Sequence, residues 1–178
     1  MMTLIQPPPL HPLRLFLFLS WFLQFYSLNA QTYTNVSLDS SLIAQDNNNS
    51  FWGSPSGEFA FGFRQIKKDG FLLGIWLDKI PEKTIVWSAN GGNLVPSGSK
   101  VELTANGKLI LIIAKTGEQI WKADYSDNIT AVIAYAAMLD TGNFVLASTD
   151  SVYLWETFKQ PTDTILPMQT LSQGIHVV

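Results

Sequence analysis

From residue 70 onward the chain alternates short apolar runs with clusters of turn-forming residues. The runs GFLLGIWL (70–77), GKLILII (107–113) and GNFVLAS (142–148) each begin at a glycine, and each leads into a polar turn, DKIPEK, AKTGEQ or STD. A second apolar phrase then closes each unit, IVW at 85–87, QIW at 119–121 and YLW at 153–155. Trp87, Trp121 and Trp155 therefore recur 34 residues apart. Runs of about seven residues rich in Ile, Leu, Val and Phe, bounded by Gly, Asn or Asp, have the length and composition of strands. Each unit reads as strand, turn, strand, the signature of a hairpin. The segment AVIAYAAML (131–139) has a helical flavour, since Val132, Ile133, Tyr135 and Met138 would share one helical face. It fills the place in its unit that KVEL (100–103) fills in the one before, and this favours a strand.

A repeat of this period predicts an all-β fold of three sub-units, each a small sheet, packed around a pseudo-threefold axis. Isolated hairpins are marginal in water, whereas three sheet faces can share one apolar centre. Trp87, Trp121 and Trp155 are the expected fillers of that centre, because an indole buries a large area at a single position.

The first thirty residues stand apart from this pattern. Arg14 precedes the apolar run LFLFLSWFLQF and then SLNA, the order of a secretory signal peptide, with cleavage expected after Ala30. The run is shorter than the roughly 20 apolar residues a spanning helix needs, and no stretch of that kind follows Ala30. The mature chain is thus expected to be secreted and without a membrane span. Three sequons fit export and mark Asn35, Asn48 and Asn128 as expected glycosylation sites. Asn128 is the favoured one, because SDNIT is a polar turn between apolar segments.

The sequence contains no cysteine, so a secreted domain of this size must be held by its core alone. Disulfide-dense modules and thiolate metal sites are excluded. A net charge of −3 over 178 residues, without a basic run, argues against nucleic acid as a partner. Beyond the leader the sole histidine is His176, which leaves no His-based triad or His-rich zinc site. No phosphate-cradling glycine loop or kinase catalytic sequence occurs. Asp124 and Asp127 could serve as a glycosidase pair in principle, but exposed turn acids are far commoner. No enzyme activity, cofactor or metal is expected of these residues.

Four segments in order resemble one family: SPSGEFAFGF (54–63), GIWLDKIPEKTIVWSAN (74–90), MLDTGNFVL (138–146) and LWETFKQPTDTILPMQTL (154–171). They are similar to the bulb-type lectin domain of plant S-receptor-like serine/threonine kinases, and AQTYTNVSL (30–38) resembles the mature start of the G-type branch. The resemblance implies a β-prism of three four-stranded antiparallel sheets with pseudo-threefold symmetry, over residues 31–153. It also implies that full-length relatives continue into cysteine-rich modules, a membrane-spanning helix and a kinase. The sequence is consistent both with a portion of such a receptor and with a free secreted lectin-like protein. Residues 154–178, with PTDTILP at 161–167, are expected to form a latch anchored by Trp155, Phe158, Ile165 and Leu166, or the start of a next module.

In monocot bulb lectins each sheet carries the pattern QxDxNxVxY, which binds mannose. A pyranose needs both donors and acceptors, so an amide, a carboxylate and a phenol on alternate positions of one strand would present a single polar face. Carried over by position, the third unit holds Leu139, Thr141, Asn143, Val145 and Ala147, and keeps Asn and Val. The second holds Thr104, Asn106, Lys108, Ile110 and Ile112, with Asn106 a partial stand-in for the Asp. The first, aligned as Lys67, Asp69, Phe71, Leu73 and Ile75, keeps Asp69. The candidate sugar residues are therefore Asn143, Val145, Thr141, Asn106 and Asp69. A net hydrogen bond contributes roughly 0.5–1.5 kcal/mol, and even millimolar binding needs about −4 kcal/mol. Two groups of five fall short of that, so no measurable mannose binding is expected, and Asn143 suits a TGN turn for structural reasons alone. The leading expectation is a secreted, non-catalytic, lectin-like recognition domain whose partner is a glycan or a cell-surface protein. The alternative is a protein-interaction module that pairs with a second prism, as in a homodimer.

Overall fold

The alternation of runs and turns becomes twelve strands and one short 3-10 helix among residues 35–46, 51–68, 70–125 and 132–170, the residues described by the computed structural model. The expected leader at 1–30, the sequon asparagines Asn48 and Asn128, and Asp69 and His176 lie outside the described residues. The N-terminal part forms β1 (Val36–Ser37), β2 (Ser40–Ile43) and β3 (Phe51–Gly53). The first unit contributes β4 (Phe59–Lys67), β5 (Gly70–Leu77) and β6 (Ile85–Ser88), and the second β7 (Lys100–Leu103), β8 (Leu109–Ile113) and β9 (Glu118–Lys122). The third contributes β10 (Tyr135–Met138), β11 (Phe144–Ala147) and β12 (Tyr153–Glu156), followed by the 3-10 helix η1 (Thr157–Lys159). The strand reading holds for Tyr135–Met138, the segment with helical flavour.

Three four-stranded antiparallel sheets result, in the orders β3-β4-β5-β6, β2-β7-β8-β9 and β1-β10-β11-β12. Each unit thus supplies a three-stranded meander, and the N-terminal segment gives one edge strand to each sheet. Short strands from that segment become stable only by pairing: Val36 and Ser37 pair with Ala136 and Tyr135, while Ser40–Ile43 pair with Leu103–Lys100. Among the described residues no helix is long and apolar enough to cross a membrane.

The inner faces meet in an apolar core. Trp87 and Trp155 are buried and Trp121 is half-buried. Their ring centroids form a near-equilateral triangle of 5.9, 6.2 and 5.9 Å, with every pair edge-to-face at 67–76°. One indole comes from β6, one from β9 and one from β12, the third strand of each meander, so the 34-residue spacing of the sequence is the rotational repeat of the fold. Edge-to-face contact sets the positive rim of one ring against the negative face of the next, the arrangement aromatic quadrupoles prefer. Phe61 and Phe144 stack at 4.0 Å beside this triangle.

After η1 the chain crosses from the third sheet to the first and runs along β6. Trp87 Nε1 donates to the Gln160 carbonyl at 2.7 Å, Ser88 N to Thr162 Oγ1 at 2.8 Å, and Thr164 N to the Val86 carbonyl at 3.1 Å. Of the anchors expected from sequence, Trp155 is buried and Phe158 and Leu166 are half-buried, but Ile165 is 48% exposed. Backbone and hydroxyl hydrogen bonds to β6 hold this stretch where an isoleucine was expected to do so. β12 spans the expected 153/154 boundary and carries Trp155 within the third sheet.

Candidate functional site

Register fixes which residues of the three sheets are equivalent. Ile75 pairs with Trp87, Leu111 with Trp121 and Leu146 with Trp155, and in each sheet a β-bulge follows that pair at once. A bulge adds a residue to one strand and shifts the facing partner, so three bulges at matching places are a symmetry marker. Counting outward by period two from the core residues Ile75, Leu111 and Leu146, the outer-face positions are Leu72, Gly74 and Trp76 on the first sheet. They are Lys108, Ile110 and Ile112 on the second, and Asn143, Val145 and Ala147 on the third. Facing them across the third strands are Ser88, Lys122 and Glu156, paired with Gly74, Ile110 and Val145.

This register corrects the expected alignment of the first unit. Phe71, Leu73 and Ile75 are at most 1% exposed and belong to the core, so they face away from the outer groove. It also corrects the expectation that the five pattern positions share one strand. Thr104–Lys108 and Leu139–Asn143 are closed turns, with Thr104 N donating to the Lys108 carbonyl at 2.9 Å and Leu139 N to the Asn143 carbonyl at 2.9 Å. Gly107 and Gly142 sit in these turns at φ 75° and 86°, a left-handed conformation that glycine adopts without cost. Only the last two positions of each pattern lie on β8 and β11.

In the third sheet the outer groove is closed by the protein's own bonds. Asn143 is 5% exposed. Its Nδ2 donates to Glu156 Oε2 at 2.8 Å, and its Oδ1 accepts from Thr157 Oγ1 and Phe158 N, each at 3.1 Å. Thr157 Oγ1 also accepts from Phe144 N at 3.0 Å, and the Thr141 hydroxyl accepts from Asn143 N at 3.4 Å. Val145 and Ala147 are fully buried. Both polar atoms of the amide are thus engaged within the protein, and Val145 and Ala147 offer no exposed apolar surface to a sugar ring.

In the first sheet Trp76 fills the outer position. It is 3% exposed, with the Arg64 guanidinium 5.6 Å above its ring and its Nε1 donating to Asp78 Oδ1 at 2.8 Å. Burial pushes the Asp78 carboxyl up, but hydrogen bonds from Lys83 and Trp76 and the Lys83 and Arg64 charges outweigh it and hold the group below its ordinary value of 3.8. A depressed carboxylate stabilises the fold above its unfolded pKa, and the contribution disappears as the pH falls through the folded value. Asp78→Asn is therefore expected to destabilise by about 1 kcal/mol at pH 7, a modest figure because the pair is partly solvated. The difference should shrink as the pH falls from neutral into the acid range and the lowered carboxyl takes up its proton; urea unfolding of both forms from neutral to acid pH checks it, and a pH-independent difference would refute it. Alongside lies an open depression of about 830 Å³ lined by Lys67, Lys68, Leu72, Ser88 and Asp163, among others. Ser88 Oγ donates to Asp163 Oδ2 at 2.9 Å, so a carboxylate from the latch occupies this groove.

The second sheet differs from both. Its outer hollow, of about 200 Å³, is lined by Lys108, Ile110, Gln119, Lys122, Ala123 and Tyr125. Lys108, Gln119 and Lys122 are exposed and Ile110 half-exposed, while Tyr125 OH donates to the Gly107 carbonyl at 3.2 Å. Asn106 is exposed in the preceding turn and does not line the hollow. Sequence reasoning missed Gln119, Lys122 and Tyr125 here and Glu156 and Thr157 in the third sheet. Parity was the available signal for Lys122 and Glu156, since Trp121 and Trp155 point inward and the next residue points outward; Gln119 faces the groove only because a bulge intervenes, and Tyr125 and Thr157 lie beyond the strands. Asn35 is exposed, as a glycan acceptor must be, and Asp124 is exposed and lines none of these grooves.

Comparison with known proteins adds the following. A family model described as D-mannose binding lectin matches residues 84–176. The chain is 45% identical over 157 residues to the G-type lectin S-receptor-like serine/threonine-protein kinase LECRK3 of Oryza sativa subsp. indica, covering 82% of this chain and 18% of that protein. It is 44% identical over 165 residues to the corresponding kinase RLK1 of Arabidopsis thaliana, covering 85% and 19%. The chain thus spans about a fifth of the length of the curated relatives it matches. Among solved structures it is similar to the Japanese Marasmius oreades lectin, with a TM-score of 0.49 at 16% identity over 71% of this chain and 91% of that one. It is likewise similar to monomeric monocot mannose-binding lectins from Gastrodia elata, at 0.49 and 15% over 69% and 96%.

Proposed function

The chain belongs to the D-mannose binding lectin family, and from that premise we propose that it is a secreted, non-catalytic carbohydrate-recognition domain whose mannose-type positions have degenerated. In this reading residues 1–30 are a leader, 31–153 the recognition domain and 154–178 the latch, and the chain corresponds to the extracellular lectin portion of a receptor-like kinase. The observation that supports it most is the fate of the candidate sugar residues. Asn143 is spent on Glu156, Thr157 and Phe158, with Val145 and Ala147 buried behind it. Recognition in this reading has moved from the amide-and-phenol pattern to the groove of the second sheet, where Lys108, Gln119 and Lys122 are exposed.

The test is a titration of the secreted chain with methyl mannoside, followed by NMR, beside a glycan array. We expect no saturation by the monosaccharide up to about 10 mM, and binding to extended glycans on the array. Saturable mannose binding that is lost in Asn143→Ala would overturn the degenerate reading. A second reading, a protein-pairing module, draws on the edge strand β12, whose Tyr153 is 43% exposed and which follows Val152, 57% exposed. A blank array together with a dimer in light scattering would favour it.

A further inference from the structure

We infer that the outer groove of the β7–β8–β9 sheet binds an acidic saccharide, holding a uronate carboxylate between Lys108 and Lys122. The inference rests on the carbohydrate-recognition reading above and names its ligand class and its site.

Asn143 ends the turn before β11 and lies diagonal to Glu156, which pairs with Val145, and the two side chains meet across the groove at 2.8 Å. The equivalent positions of the second sheet hold Lys108 and Lys122, as the matched turns and the Ile110–Lys122 and Val145–Glu156 pairings show. Two cations therefore stand where the third sheet has an amide–carboxylate hydrogen bond. Both are exposed, and neither ammonium has an ion-pair or hydrogen-bond partner among the described residues. Like charges at neighbouring diagonal positions repel, and an anion between them turns one repulsion into two attractions.

Each of the other grooves has a carboxylate of the protein's own in it, Glu156 in the third sheet and Asp163 on Ser88 in the first. Among the described residues no carboxylate lines the second. Glu102, opposite Ile110 on β7, is already paired with Lys100, and the exposed Asp124 lies outside the hollow. The lysines alone would suit any anion. Beside them, however, Ile110 gives a half-exposed apolar floor for ring carbons, and the Gln119 amide offers both a donor and an acceptor for hydroxyls. A hollow of about 200 Å³ has the volume of roughly six or seven waters, the scale of one sugar ring. Apolar floor, amide and paired cations together describe a pyranose with a carboxylate, not a bare ion.

The experiment titrates the secreted chain with a galacturonate oligomer, its fully methyl-esterified form and inorganic phosphate, by calorimetry at low and high salt. We expect the acidic oligomer to bind, the ester and phosphate to fail at the same concentrations, and the affinity to fall as salt rises from about 0.02 to 0.5 M. Lys108→Glu and Lys122→Glu should each weaken binding by about fivefold or more, while Lys108→Arg and Lys122→Arg retain it. All four sit on an exposed face, and an unchanged melting temperature confirms that the fold is intact. Equal binding of acid and ester, or charge reversals without effect, would overturn the inference. Neutral glycans binding where the acidic oligomer does not would sink this inference and leave the recognition reading standing, and a blank for every glycan, acidic ones included, would sink both.

Discussion

Replacing Trp87 with alanine is expected to lower the unfolding free energy by about 4 kcal/mol, the largest loss of any single substitution considered for this fold. Truncating a buried Trp costs roughly 3–5 kcal/mol through lost transfer energy and the cavity left behind. Trp87 belongs in the upper part of that range. It is 5% exposed, contacts both other indoles of the triangle, and stacks against Phe61 at 6.3 Å. Its Nε1 also fastens the latch through the Gln160 carbonyl, a bond whose loss adds about 1 kcal/mol. The symmetry is not perfect, and this sharpens the expectation. Trp121 is only half-buried, so Trp121→Ala should cost less. Trp155 is 4% exposed, but its Nε1 has no hydrogen-bond partner among the described residues. Trp155→Phe should therefore be milder than Trp87→Phe, which also frees the latch. Urea unfolding of the four variants checks the order, and a loss below about 1 kcal/mol for Trp87→Ala would contradict a central role for the triangle.

The symmetry of the fold was legible in the sequence because it rests on large, rare residues at a constant spacing. Three Trp residues ending three apolar phrases could hardly be anything but one position used three times, and the strands around them follow from composition. Other features were not legible, for identifiable physical reasons. β1 and β2 are two and four residues long and have little strand character of their own; they exist because the meanders present unpaired edges to them. In the first unit GFLLGIWL is buried on both faces, so its sequence is apolar throughout and carries no parity. A one-residue slip then exchanges the inner and outer sets, and the alignment through Phe71, Leu73 and Ile75 made that slip. In the second unit Lys108 precedes the apolar run and Lys122 ends the facing strand, and these two charges mark its outer side. Pattern matching along one strand also could not supply groove residues from the neighbouring strand, since a bulge separates their numbering.

The same comparison shows how one scaffold disposes of three sites in three ways. The first groove receives Asp163 from the segment after η1, the third is stitched shut by Asn143, and the second keeps Lys108, Gln119 and Lys122 facing solvent. Ser88 in the first groove and Asn143 in the third are thus bonded within the protein. A residue kept from a sugar-binding motif need not keep the sugar.

Asn143→Ala tests that last statement and carries the second largest expected effect, a loss of about 3 kcal/mol in stability with no change in glycan binding. A buried group left without its partner costs roughly 1–3 kcal/mol, and this truncation orphans more than one. Thr157, itself 1% exposed, loses the acceptor of its hydroxyl, and Phe158 loses the acceptor of its backbone N–H. Glu156 loses a donor at 2.8 Å while keeping Lys159 at 2.9 Å on its other oxygen. Asn143→Asp separates the two halves of the amide. It keeps an acceptor for Thr157 and Phe158 but removes the donor to Glu156, setting two carboxylates against each other at close range. At neutral pH it should therefore remain clearly destabilised, which an acceptor-only role for Asn143 does not predict. A sugar ligand behaves in the opposite way, because its removal lowers affinity and leaves the melting temperature in place. Thermal unfolding and glycan titration of the same two variants therefore decide between a clamp joining β11, β12 and η1 and a remnant of a binding site. Unchanged stability with lost glycan binding would give Asn143 back to the sugar.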